Sequence, residues 1–357
     1  MSYRVDRYFI VDIKLRILDI TTIEKFDSKK MYKIYDMWPE IAKKSYEKNI
    51  EQINFSKSSH FVFAGMGGSG SLGSVFSAIL SKTNTHVSVV KGYHLPKTVN
   101  SKSIVIITSV SGNTIESIAI LDNAIKLNAK IIVFSDGGKI KELCKKNNIP
   151  HRNIKKYHSP RASFTSFLYS MMYVLKPILP IKESDILKSI EDLKIIQKKI
   201  NSKNITESNP AVKIANWINH TPVIYYPWGL ESVAIRFKNM LQENCKIHAI
   251  VEDVIEACHN GVVAWKNKDK FQPILVRGKD DFEKTVQHWE ILKELFIERE
   301  IDFKEVTSEN GNILTKIICL IYLFDYASIY LSVKLETDPT PVEAIDFIKR
   351  RLKEFKY

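Results

Sequence analysis

Apolar runs that end in small or polar loops, each followed by a segment with helical apolar spacing, recur along the first half of the chain. Residues 60–66, 87–90, 104–109 and 129–134 supply four such runs, and 148–152 a shorter fifth. Uninterrupted runs of this length belong to strands buried on both faces. Their alternation with helices predicts a doubly wound α/β unit with a parallel sheet through about residue 155. A helical pattern precedes it at 28–51, with Tyr32, Ile34, Met37, Trp38, Ile41 and Ala42 on one side and Pro39 marking a turn or helix start. An apolar helix follows it at 164–175.

A second series then begins. Residues 221–227, 246–251, 272–277 and 302–306 read as strands, and a helix after the first of them turns Ala234, Phe237, Met240 and Leu241 inward. Between the series lies 181–203, a Lys-rich amphipathic helix that ends in Asn201-Ser202-Lys203-Asn204 and is the best candidate for a linker. Residues 314–333 form a long apolar helix, and Pro339 and Pro341 halt it and start a last one at 342–355. The pattern predicts two three-layer αβα domains, 31–180 and 206–357, joined by 181–205, with residues 1–30 as an extension of unassigned role.

Composition narrows this picture without redirecting it. With 357 residues and 45% hydrophobic content, the chain can build two cores with room for a pocket between them. Lys+Arg 53 against Asp+Glu 40 gives a formal charge of +13, which suits nucleic acid, an anionic membrane or a small anionic substrate. The lysines are scattered over helical segments, and there is no Arg-rich tract, zinc-finger spacing or aromatic-basic interleaving, so no nucleic-acid partner is expected. The apolar stretch 317–333 contains Asp325 and falls short of the ~20 clean residues of a membrane span, so a core helix is expected in its place. Cys144, Cys245, Cys258 and Cys319 are widely spaced, and charges at Arg4, Asp6, Arg7 and Asp12 interrupt the first apolar run. Reduced thiols, no structural metal and a cytoplasmic location are the expectation.

The candidate chemistry gathers at strand ends. The run 104–109 leads into Ser109, Ser111, Gly112, Asn113 and Thr114, and helical periodicity resumes at Ile115. Hydroxyls and free N–H groups at a helix N-terminus stabilise an anion, and none of these side chains can do acid–base work, so the loop reads as a phosphate cradle. Gly65, Gly67 and Gly70 after the first strand satisfy the dinucleotide pattern G-x-G-x-x-G. The acidic residue that such a fold needs about 20 residues on is missing, because the second strand ends in Lys91 and Gly92. Two Ser/Gly loops gripping one phosphate is the favoured alternative.

Arg161, in Ser159-Pro160-Arg161-Ala162-Ser163, is either a helix-start residue paired with a carboxylate or a cation that holds an anionic intermediate. Glu243 ends an apolar and basic helix, where a carboxylate is mildly unfavourable, and that local cost hints at function. His259 falls between two strands, at the level where open α/β sites are built. A glutamate base and a histidine that changes charge near neutral pH are the minimum needed to move protons on a sugar.

The segments FAGMGGSGS, TSVSGNT, PRAS, KNMLQENCK, EACHNGVVAW and TDPTPVEAIDFIK, in this order, closely resemble the archaeal bifunctional phosphoglucose/phosphomannose isomerases. These belong to the phosphoglucose isomerase superfamily and are built from two sugar isomerase (SIS) domains. The resemblance runs from about Met31 to the end. It implies an aldose–ketose isomerase that interconverts glucose 6-phosphate and mannose 6-phosphate with fructose 6-phosphate through a cis-enediol, without metal or other cofactor. By position, Gly68, Ser69, Ser109, Ser111 and Thr114 match the family's phosphate-binding residues, and Gly67 belongs to the same substrate loop. Glu243 matches the base that shuttles a proton between C1 and C2, and Arg161 the arginine that steadies the enediolate. His259 matches the ring-opening histidine, which in the family arrives from the partner subunit and so implies a homodimer with shared active sites. Lys349 matches a C-terminal lysine near the sugar, and Thr340 a threonine linked to mannose-type substrates. Gly261 and Ala264 stand where the family commonly has a polar residue and glycine, which puts the local loop shape in question. A non-catalytic sugar-phosphate sensor and an isomerase for another sugar phosphate remain open as alternatives.

Overall fold

The computed structural model describes residues 18–56, 58–352 and 354–355, so the part of the expected extension at 1–17 lies outside the described residues. Five parallel strands, β1 (His60–Ala64), β2 (His86–Val90), β3 (Ile104–Ser109), β4 (Lys130–Ser135) and β5 (His151–Asn153), form the first sheet in the order β2-β1-β3-β4-β5. Four more parallel strands, β6 (Thr221–Tyr226), β7 (Ile250–Asp253), β8 (Phe271–Arg277) and β9 (Lys304–Thr307), form the second in the order β7-β6-β8-β9. The expected three-layer architecture is therefore present twice.

Burial explains where the layers sit. Every residue of the central strand β3 is buried, whereas the edge strand β2 buries only Val90 fully, as expected for a strand covered on two faces against one at a margin. The outer face of the first sheet packs Val62, Val105, Ile107 and Val133 against the helices Ile115–Lys126 and Gly138–Lys146. The outer face of the second packs Val223, Tyr225 and Leu275 against Trp289, Leu292 and Phe296 of the helix Glu283–Glu298. The inner faces share one continuous core with the helices Trp38–Glu47, Gly68–Leu80, Phe164–Leu175, Glu231–Met240 and Ile313–Lys334 between the sheets. The helix Glu183–Ile200, which separates the two sheets in sequence, buries Ile186, Ile190, Leu193, Ile196 and Ile200 in that same core.

The apolar helix expected at 314–333 runs Ile313–Lys334 and is 89% buried inside the protein over its most apolar stretch. Its one acidic residue, Asp325, is paired inside the core with Arg236, through Nε to Oδ1 at 3.1 Å and Nη2 to Oδ2 at 2.6 Å. A buried pair of this bidentate kind stands only because both charges are matched, and deleting either partner costs ~3–5 kcal/mol. The helical pattern at 28–51 breaks next to Pro39, as expected, but Met37 does not join the buried side. It is two helices, Met31–Asp36 and Trp38–Glu47, with Pro39 in the first turn of the second, and the break leaves Met37 exposed.

Candidate active site

Two strand ends of the first sheet make a cradle of neutral donors. After β1 the chain reaches Gly67, whose φ of 53° and ψ of −124° suit glycine, and the helix Gly68–Leu80 starts at once. Its first N–H groups thus open at the carboxyl edge of the sheet. A Cβ added at Gly65 would lie 2.9 Å from the Thr108 carbonyl oxygen, so only glycine lets the loops after β1 and β3 close on each other. Ser69 and Ser109 are both buried there. The Val110 N–H donates to Ser69 Oγ (3.4 Å), and Ser109 Oγ donates to Thr114 Oγ1 (3.1 Å). Thr114 stands at the N-cap of the helix Ile115–Lys126 without a side-chain capping bond, which leaves its hydroxyl proton for a ligand. Ser111 is exposed at the rim and accepts from the Asn113 N–H at 3.3 Å.

The cradle borders a charged cluster. The backbone of Gly68 faces Pro160 and Arg161: a Cβ at Gly68 would lie 3.6 Å from the Pro160 carbonyl oxygen and 3.7 Å from Arg161 Cα. Arg161 is buried, and its guanidinium donates through Nη1 to Glu243 Oε2 at 3.0 Å, through Nε to Asn244 Oδ1 at 2.8 Å, and through Nη2 to the carbonyls of Pro339 (2.5 Å) and Thr340 (3.2 Å). Glu243 keeps 24% of its side chain exposed, so the pair is solvent-reachable on the carboxylate side alone. Four polar partners in fixed directions use the planar fork of arginine, which lysine could not reproduce.

The local backbone explains how Glu243 gets there. The helix Glu231–Met240 does not stop but widens into a π-turn, Leu241–Cys245, and Glu243 sits at its middle. Single π-turns re-aim a side chain off its helical stripe and are common at functional positions. Lys246, at φ 60°, ends the turn and sends its ammonium back to the carbonyls of Glu243 and Asn244. Burial, and after it the nearby Arg161, lowers the Lys246 pKa from the usual lysine value.

Arg161 is held from behind as well. Arg236 Nη2 donates to the Arg161 carbonyl at 3.0 Å, and Trp38 Nε1 donates to the Ala162 carbonyl at 3.0 Å. Arg236 also lies over the Phe164 ring at 4.0 Å, so the buried Arg236–Asp325 pair and the aromatic layer together fix the arginine's backbone. His158 is half-buried beside this segment, with its pKa lowered by burial and then by Arg161.

The expected residues therefore divide into those brought together and those set apart. Gly67, Gly68, Ser69, Ser109, Ser111 and Thr114 meet at the first sheet's carboxyl edge, next to Arg161, Glu243 and the Thr340 backbone. Thr340 Oγ1 is buried without a hydrogen-bond partner. His259 is exposed in the turn after the short helix Val254–Ala257 and makes no hydrogen bond to Arg161 or Glu243. Lys349 is exposed on the helix Glu343–Leu352, which buries none of its residues. Sequence reasoning missed Asn244, Lys246 and the Arg236–Asp325 pair. An Asp in an apolar helix and an Arg among inward positions of another were signals for the pair; nothing local singled out the others.

The SIS domain model matches residues 54–175, and the model of the bacterial phospho-glucose isomerase C-terminal SIS domain matches residues 207–352. The chain is 31% identical over 339 residues to a bifunctional phosphoglucose/phosphomannose isomerase of Caldicellulosiruptor bescii, covering 90% of this chain and 98% of that one. It is 30% identical over 304 residues to the protein of the same name from Aquifex aeolicus, covering 82% and 90%. Among solved structures, a glucose-6-phosphate isomerase from Chlamydia trachomatis superposes with a TM-score of 0.67 at 12% identity, covering 92% of this chain and 73% of that one, a likeness of fold.

Proposed function

The chain belongs to the family of bifunctional phosphoglucose/phosphomannose isomerases, and from that premise we propose that it interconverts glucose 6-phosphate and mannose 6-phosphate with fructose 6-phosphate by proton transfer through a cis-enediolate. The observation that carries this reading is the Arg161–Glu243 contact at 3.0 Å beside the Ser/Gly cradle. The first domain, residues 31–180, grips the phosphate. The second, residues 206–357 beyond the 181–205 helix, brings the base.

In the free enzyme Arg161 faces one anion, the Glu243 carboxylate. When that carboxylate takes the proton from C2 of the open-chain aldose, the C–H electron pair moves into the C1–C2 bond and the carbonyl oxygen becomes the anion. Arg161 then faces that oxygen, so its charge is matched throughout and needs no reorganisation. The C2 hydroxyl then gives its proton to the C1 oxygen, and return of the first proton to C1 leaves the carbonyl at C2, which completes the ketose. The phosphate, remote from the reacting carbons, converts binding into position at C1–C2. Both C2 epimers are accepted if the base reaches C2 in either rotation of the C1–C2 unit.

Fructose 6-phosphate supplied in deuterated water should yield both glucose 6-phosphate and mannose 6-phosphate with deuterium at C2. Formation of a single epimer, or of unlabelled product, contradicts the proposal. Ring opening is assigned to His259 from a second copy of the chain, since His259 is exposed and separate from the Arg161–Glu243 pair. Glu243→Gln and His259→Ala subunits refolded together in equal amounts should then recover about a quarter of wild-type activity, because half of the dimers are mixed and each mixed dimer holds one intact site. If both residues come from one chain, the mixture stays at the average of the two single variants.

A further inference from the structure

The ammonium of Lys246 lies 2.5 Å from the Glu243 carbonyl, 3.5 Å from that of Asn244, 3.2 Å from that of Asp338 and 3.4 Å from that of Pro339. We propose that Lys246 is a positioning residue that holds the Glu243 carboxylate in its productive place by tying the π-turn to the Asp338–Pro339 peptide; this rests on Glu243 acting as the base. An ammonium has three protons, and here all face carbonyls, so none is left for substrate. The carbonyls belong to two separate stretches of chain. The Glu243 and Asn244 oxygens are the open end of a widened helix, which carries partial negative charge and disfavours a carboxylate so close by. The cation offsets both. The Asp338 and Pro339 oxygens belong to the segment that also accepts from Arg161, and Pro339 O accepts a hydrogen bond from each cation. Base and arginine are in this way referenced to one peptide.

The backbone at Lys246 points the same way. Its φ of 60° and ψ of 29° are left-handed, a conformation that glycine or asparagine adopts at lower cost. A lysine at such a position, with its side chain folded back onto the turn, is explained by what the ammonium does there.

Lys246→Gly relieves the backbone and removes the cation. The variant should stay folded, with kcat about 10²-fold lower, since small misplacement of a reacting group has effects of that size, and with KM nearly unchanged. Lys246→Arg, which still donates to carbonyls, should return much of the loss. Combined with Glu243→Gln, Lys246→Gly should cause no further loss, because it acts only through the carboxylate. Lys246→Met, which retains the stem, serves the same comparisons if the glycine variant does not fold. The proposal is overturned by wild-type kcat in the folded Lys246→Gly or Lys246→Met protein, by a raised KM at unchanged kcat, which makes Lys246 a substrate contact, or by full additivity with Glu243→Gln. Near-normal turnover by Glu243→Gln alone is a different failure, that of Glu243 as base; an inactive Glu243→Gln beside a fully active Lys246→Gly sinks only the role of Lys246.

Discussion

The two sheets have the same strand order around their centres, with β1 between β2 and β3 and β6 between β7 and β8, yet their carboxyl edges are chemically opposite. After β1 and β3 the loops are glycine and hydroxyl, and the helices Gly68–Leu80 and Ile115–Lys126 start directly behind them. After β8 the corresponding place is filled from within. Asp281 accepts from the Gly278 N–H at 3.1 Å and from Trp289 Nε1 at 2.9 Å, and Asp280 pairs with Lys316. Burial raises the Asp281 pKa from the usual aspartate value, the hydrogen bonds and Arg277 opposing it. After β6 comes Trp228, 66% exposed, in place of a glycine run. The loops after β1 and β3 therefore present neutral donors, while the loop after β8 carries its own anion in Asp281. The second sheet contributes to the site through the helix that follows β6 and its π-turn. Under the proposed function, the duplicated architecture is divided into a half that binds the phosphate and a half that brings the base, which meets Arg161 of the first half.

The largest expected effect tests the acid–base half. Glu243→Gln should leave the fold and sugar-phosphate binding intact while lowering kcat with both epimers by ~10²–10⁴-fold or more, measured by coupled assay alongside direct binding titration. Loss of binding with catalysis would merge the two halves into one. The binding half is tested next. Ser109→Ala or Thr114→Ala each removes a hydroxyl contact to a charged group, worth ~1.5–3 kcal/mol, so affinity for 6-phosphogluconate should fall ~10- to 10²-fold by calorimetry. A loss of NAD(P) binding in its place would make the glycine loop a dinucleotide site. The smallest effect belongs to the occupied edge: Asp281→Asn keeps an acceptor for the Gly278 N–H and should cost ~1 kcal/mol of stability by urea melt while leaving 6-phosphogluconate affinity unchanged. A second, weaker phosphate site in that variant would show that charge alone had kept the edge empty.

Much of this was legible before any coordinates. The strands after which the cradle forms were readable because a buried parallel strand is a local apolar run, and loop chemistry follows at once in sequence, as at Ile104–Ser109 and the residues to Thr114. The helix Phe164–Leu175 appears where the periodicity puts it. Boundaries moved where turns intervene: β7 begins at Ile250, not 246, because the π-turn and the left-handed Lys246 consume residues that continue an apolar pattern. Helices Ile20–Phe26, Pro210–Trp217 and Glu283–Glu298 went unread, their patterns being short or mixed with charge.

What the sequence by itself determined was the alternating α/β architecture, the family, and the types of side chain available for chemistry, since periodicity, turn residues and motif order are properties of neighbouring positions. What only the tertiary structure decided was which of those side chains meet. Arg161 pairs with Glu243 across 82 residues of chain and donates its last hydrogen bonds to carbonyls 178 and 179 residues away. Those carbonyls are backbone atoms that every residue type carries, and a π-turn differs from an α-turn by one register of hydrogen bonding, so neither leaves a mark in residue identity. Packing of the helices between the two sheets selects them, because only the assembled core fixes where the ends of distant segments converge.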